Sequence, residues 1–93
     1  MKRTPPSNAR RSRTLVKTMI KRALRARFPQ DTVDVSDGYE GNIRVVVVSR
    51  IFDKMDLDAR QEFLWAIIDR IGLSDDERAL ISFVFPVSVA LLS

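Results

Sequence analysis

Between residues 14 and 28 the apolar side chains Leu15, Val16, Met19, Ile20, Ala23, Leu24 and Phe28 recur every three or four positions. Lys17, Lys21, Arg22 and Arg25 fill the opposite arc. At about 100° per residue this pattern predicts an amphipathic helix with a cationic outer face, capped by Thr14 and stopped by Pro29. The periodicity then changes. Residues 33–36 and Ile43–Ser49 read as strands joined by a turn at Asp37-Gly38-Tyr39-Glu40-Gly41-Asn42. Asp-Gly is a hairpin signal, and Gly41-Asn42 adds a second pair at ease with positive φ. The run Val45-Val46-Val47-Val48 does not alternate with polar residues, which predicts a strand covered on both faces or central in its sheet.

A second helix is predicted over residues 56–71, capped by Asp56 and ended by Gly72. Leu57, Gln61, Leu64, Ile68 and Ile71 lie along its buried stripe, and Phe63, Trp65 and Ile67 widen the apolar surface. Ser74-Asp75-Asp76-Glu77 fits the S-x-x-E capping box and predicts a further helical turn. Residues 79–89 are rich in β-branched and aromatic side chains and read as a strand, with Pro86 as a bulge or its end. The order α-β-β-α-(short α)-β gives a single small α+β domain, with a three-stranded sheet and helices packed on one face. No internal repeat or heptad run is present.

The first 13 residues break this pattern. They hold two prolines and polar spacers without apolar periodicity, and read as a disordered basic arm ahead of a domain spanning 14–93. No apolar stretch follows the charges, so a secretory signal is not expected. The Arg-rich, acid-poor start also resembles an organellar transit peptide, against which Pro5-Pro6 argues. No run approaches the roughly 18 apolar residues of a spanning helix, so no membrane partner is expected.

Charge sharpens the picture. The 93 residues carry 16 Lys and Arg against 12 Asp and Glu, a net charge of +4. All ten cations of residues 1–27 occur without an acid, whereas residues 28–93 are net acidic. The molecule is strongly dipolar.

His and Cys are both absent. The usual general base near neutral pH, the commonest metal ligand and the thiol nucleophile are therefore missing, and no catalytic residue, metal site or cofactor is expected. Lack of Cys fits a reducing, cytoplasmic setting. Asp53, Asp56 and Asp58 suggest a hard-metal cluster, but acids gather at helix starts to cap them and to meet the macrodipole. Ser49 and Ser82 lack a G-x-S-x-G setting. The chain reads as a non-enzymatic module.

Gly38-Tyr39-Glu40-Gly41 spells the GXXG of KH domains, but it lies between predicted strands and carries an acid, so it reads as a hairpin turn. The basic end has more to offer. Arg10, Arg11, Arg13, Lys17, Lys21, Arg22 and Arg25 are candidate phosphate contacts, with Arg50, Lys54 and Arg60 near the second helix start as further candidates. Without aromatics in the arm, nucleic-acid binding is expected to be largely independent of sequence. Solubilisation also accounts for a basic tail, and calmodulin-like or anionic-membrane binding is open to a basic amphipathic helix, but the core of so small a domain needs this helix's apolar face.

From Asn42 the chain resembles the BolA family. The valine-rich strand ending at Ser49, with Phe52 after it, is similar to that family's second strand. Arg60-Gln61-Glu62-Phe63-Leu64-Trp65 resembles the start of its main helix, and Arg78-Ala79-Leu80-Ile81-Ser82 with Pro86 resembles its last strand. The resemblance covers most of residues 14–86 and implies a fold like class II KH domains. Family members share a [2Fe-2S] cluster with monothiol glutaredoxins through His or Cys ligands. Here Arg78 and the Asn42 region stand in those places, Gln61 stands where the resemblance has the helix-start His, and neither guanidinium nor amide replaces imidazole on iron. The resemblance then implies nucleic-acid binding, or a metal-free protein adaptor or homodimer docking through residues 87–93, whose uncharged strand edge invites pairing.

Overall fold

A computed structural model of the chain describes residues 11–92. The first helix, α1 (Arg13–Arg27), starts one residue before the predicted cap. Ser12 sits in extended backbone and its hydroxyl accepts the Leu15 amide at 3.1 Å, so Ser12 is the cap in place of Thr14. The folded domain therefore reaches back into the stretch expected to be a disordered arm, and takes in residues 11–13.

Strand β1 (Thr32–Asp37) pairs antiparallel with β2 (Ile43–Ser49), from Thr32 opposite Val48 to Asp37 opposite Ile43. A 3-10 turn at Tyr39–Gly41 joins them. It places Glu40 at φ 55° and Gly41 at φ 79°, and the glycine lets the chain reverse without a Cβ clash. After β2 a second 3-10 turn, Arg50–Phe52, leads to α2 (Leu57–Asp69), whose cap Asp56 accepts the Ala59 amide at 2.8 Å. Gly72 at φ 92° ends this segment. The expected capping box is present at α3 (Asp75–Arg78), with Ser74 and Glu77 each accepting the other's amide.

Strand β3 (Ile81–Ser88) lies parallel to β2, giving the order β1-β2-β3 with the valine strand in the centre. The strand is shorter than residues 79–89, because Ala79 closes α3 and Val89 opens the terminal turn α4 (Val89–Leu92). Residues 87–93 thus do not form one strand edge: β3 stops at Ser88, and Ser93 lies outside the described residues. Pro86 is neither bulge nor terminus. It pairs in register with Val47 on an edge strand, where a missing N–H costs no ladder bond. The irregularity sits earlier, where Ile43 faces Ile81 but Arg44 faces Phe83, leaving Ser82 as the extra residue.

The helices cover one face of the sheet, as expected. Val16, Ile20, Leu24 and Phe28 of the α1 side meet Val33, Ile43, Val45 and Val47 of the sheet, with Leu64 and Ile68 from α2. Phe28, Phe52 and Phe63 form a tilted ring cluster with centroids 5.8–6.1 Å apart. Two apolar residues counted into the helix stripes fall outside this core: Leu15 and Leu57 are exposed. Val46 and Val48 point away from it onto the helix-free face and are half-buried. The valine run is therefore central but covered fully on one side alone.

Candidate nucleic-acid interface

The candidate cations are not equivalent once the fold sets their neighbours. Arg10 lies outside the described residues. Arg11 is held by Glu77: its backbone amide donates at 2.7 Å, Nε donates to Oε2 at 2.8 Å and Nη2 donates to Oε1 at 2.7 Å. Glu77 is buried, with 1% of its surface exposed, and the guanidinium fork is the charge partner it requires. These bonds hold the Glu77 carboxyl far below the usual carboxylate range and raise the Arg11 guanidinium. Arg11 is a structural residue, not a spare phosphate ligand.

Arg13 and Lys17 are also committed, though more loosely. Lys17 Nζ donates to Asp37 Oδ1 at 2.8 Å, and Arg13 Nε lies 3.4 Å from the same oxygen. Arg13 Nη1 also donates to the Gly41 carbonyl at 3.3 Å. The Lys17 hydrogen bond is the main cause that pulls the Asp37 carboxyl below its ordinary value. Asp37, at the end of β1, offsets part of the charge at the α1 start.

The open cations lie further along α1. Lys21, Arg22 and Arg25 are exposed. Among the described residues none of the three forms an ion pair, and Arg25 Nη1 donates only to the Asp31 carbonyl, at 3.3 Å. Helical spacing puts them within two turns on the side turned from the core. Arg50, Lys54 and Arg60 belong to other elements, around the start of α2. Arg60 Nε donates to the Met55 carbonyl at 2.9 Å, and Asp53 and Asp56 lie beside them in the chain. These three are not drawn into the α1 row.

The acids near α2 have positive assignments. Asp53 Oδ1 accepts the Ser88 hydroxyl at 2.6 Å and the Ala90 amide at 3.2 Å, which lowers its carboxyl and ties β3 and α4 to the 3-10 turn. Asp56 caps α2. Among the described residues no three His, Cys, Asp or Glu side chains converge on a metal position. Gln61 donates through Nε2 to the Val84 carbonyl at 2.8 Å and fastens α2 to β3. Arg78 pairs with Asp69 at 2.6 Å and lies 4.3 Å from the Trp65 ring centroid.

Two features escaped the sequence reading. Arg22, Arg27 and Arg70 gather around an apolar groove between α1 and α2. The α1 stripe Met19, Ala23, Ala26 was legible in part, but its partner Ile67-Arg70-Ile71 needs the helix pairing. The other feature is the helix-free sheet face, where Phe83 and Phe85 are 54% and 43% exposed and stack at 5.5 Å. Alternate residues of β3 carried that signal, but the absence of a covering layer did not show in sequence.

Among the described residues no helix is long and apolar enough to cross a membrane. No protein-family model matches the chain, and no curated protein or solved structure matches it either.

Proposed function

We propose that the protein is a non-enzymatic, BolA-like binding module that holds nucleic acid by its phosphates. The observation carrying this reading is the exposed row Lys21, Arg22, Arg25 on α1, free of acidic partners among the described residues and next to a basic amino end. Cations in such a row bind polyanions by releasing condensed counterions, and they read no base edges. The α-β-β-α-α-β order and mixed sheet support the family reading, and the replacement of the cluster ligands supports a metal-free role.

A salt titration with duplex and single-stranded oligonucleotides tests it. Three phosphates met by the α1 row contribute a log K against log salt slope of about −2.7 on duplex DNA. The triple variant Lys21→Glu, Arg22→Glu, Arg25→Glu should flatten the slope by about that much and weaken every sequence equally. No binding by the wild type at about 50 mM salt, or a variant that binds as tightly, sinks the proposal.

A second reading, self-association, is favoured by the stacked Phe83 and Phe85 on the open sheet face. Val46, Val48 and Val87 surround them in register. The same face carries one acid, Asp34, and one base, Arg44. A two-fold apposition of two copies can set Asp34 of one against Arg44 of the other, so the occupant that this face suits is a second copy of the chain.

A further inference from the structure

The groove between α1 and α2 shares Arg22 with the cationic row but otherwise lies apart from both surfaces, and its lining has an unusual division of chemistry. Met19, Ala23 and Ala26 from α1, Ile67 from α2 and Ile71 just past its end form its floor, and Arg22, Arg27 and Arg70 form its rims. The lining contains three guanidinium groups and no acid, around a cavity of about 650 Å³. Among the described residues none of the three arginines has a carboxylate partner. Arg27 is nevertheless fixed in place, with its guanidinium 5.4 Å from the Phe28 ring centroid and 5.0 Å from that of Phe63.

We propose that this groove docks an acidic amphipathic helix of a partner protein. The shape supports this occupant. Positions 19, 22, 23, 26 and 27 recur as i, i+3, i+4, i+7 and i+8, one continuous stripe of α1. Met19 to Ala26 spans about 10 Å, two helical turns at 1.5 Å per residue, which matches anchors at i, i+3 or i+4 and i+7 of a bound helix. Ala23 and Ala26 have single-carbon side chains, so a third helix can approach closely. The charge pattern agrees. Arginines stand on both rims along the groove, so they match carboxylates repeating along both edges of an amphipathic helix. A fatty acid offers one anionic head, and a nucleic-acid strand would leave the aliphatic floor unburied, with no ring there for a base to stack on. Exposed apolar surface of this kind, rimmed by charge, marks an interaction site.

Arg22 is common to the groove and the α1 row, so the test uses residues outside that row and its failure is separable from that of the nucleic-acid reading. The probe is a fluorescein-labelled 15-residue helical peptide of Glu, Ala and Leu, with leucines at i, i+3, i+7 and i+10. It is titrated against the full chain by polarisation, and amide shifts are mapped by NMR. The expected result is saturable binding with shifts centred on Ala23, Ala26, Ile67 and Ile71. Ala26→Glu is an exposed change to another good helix former, and it should weaken binding at least tenfold with the melting temperature retained. Arg70→Gln should weaken it severalfold, and Arg70→Lys should restore most of the loss. Lys54→Glu removes more positive charge than Arg70→Gln but lies off the groove, and it should change affinity less than threefold. A peptide with every Leu replaced by Ser, at identical charge, should not bind. Equal binding by the Ser peptide, equal losses at Lys54 and Arg70, or shifts centred on Phe83 and Phe85 would each overturn the proposal. So would absence of peptide binding, including the case where phosphatidylglycerol vesicles or a single-stranded oligonucleotide bind in an Ala26-dependent way instead.

Discussion

Arg11 and Glu77 are 66 residues apart in the chain, yet the Arg11 amide and guanidinium together donate three hydrogen bonds to the Glu77 carboxylate. The Glu77 carboxylate does two jobs at once. It closes the α3 capping box through the Ser74 amide and receives the guanidinium that anchors the chain just before α1. Its pH dependence has a definite sign. In the unfolded chain a glutamate titrates near pH 4.3, whereas the folded carboxyl is held well below that range, chiefly by the Arg11 hydrogen bonds. Above about pH 4.3 both states are ionised and the contribution to stability is complete. Below it the unfolded state takes up the proton first, and the contribution is lost as pH falls toward the folded value. Arg11→Ala should therefore lower the urea midpoint at pH 7 and give a curve that converges on the wild type in acid. Asp37 and Asp53 are also lowered, but they act alike in both proteins and cancel in the difference. A gap that stays constant from pH 7 to pH 2 would mean that Arg11 acts by packing alone.

Among the elements, α2 carries the central load, because Leu64 and Ile68 are fully buried against the sheet while Gln61 fastens it to β3. Truncating Leu64 or Ile68 to Ala should cost about 2–5 kcal/mol, read from chemical denaturation. Lys21→Glu on the exposed face of α1 should stay within about 0.5 kcal/mol of wild type. Equal losses at Lys21 and Leu64 would mean that α1 packs the opposite way round. These buried stripes were legible in sequence because helical periodicity and capping are local. The Asp56 cap, the Ser74 capping box and the bounds of β2 needed only their neighbours. The Thr14 cap was misread because Ser12 and Thr14 offer the same hydroxyl, and the choice rests on which backbone is extended. Pro86 was misread because edge position, which makes a proline harmless, is a property of the sheet. The site suffered most. Arg11, Arg13 and Lys17 look identical in sequence to Lys21 and Arg25, and only tertiary folding shows that Glu77 and Asp37 have already claimed them.

At the scale of the whole molecule, the α1 cationic row and the exposed phenylalanines lie on opposite sides. The α1 row sits on the helical layer, and the open face Val46, Val48, Phe83, Phe85 and Val87 lies across the sheet from it. Two copies joined through their sheets would point their α1 rows outward in opposite directions, so self-association would not compete with polyanion binding. The size of the face sets the strength of such a dimer. Three strands about 4.8 Å apart and seven residues long, at about 3.3 Å each, cover an area well short of the roughly 800 Å² per partner of a standard stable interface. A weak dimer is expected, one whose average mass rises with concentration in the high-micromolar range by sedimentation equilibrium. Phe83→Ser with Phe85→Ser should leave a monomer throughout, with a modest change in the thermal melt because both rings are about half exposed and outside the core. This variant is cleaner than trimming residues 87–93, since Ser88 donates to Asp53 and the trim would remove that bond. High salt should leave the dimer nearly intact, because the apolar rings rather than the Asp34 and Arg44 pair supply most of its contact. A wild type that stays monomeric at millimolar concentration, or a double variant that associates just as well, would remove the second copy as the occupant of this face.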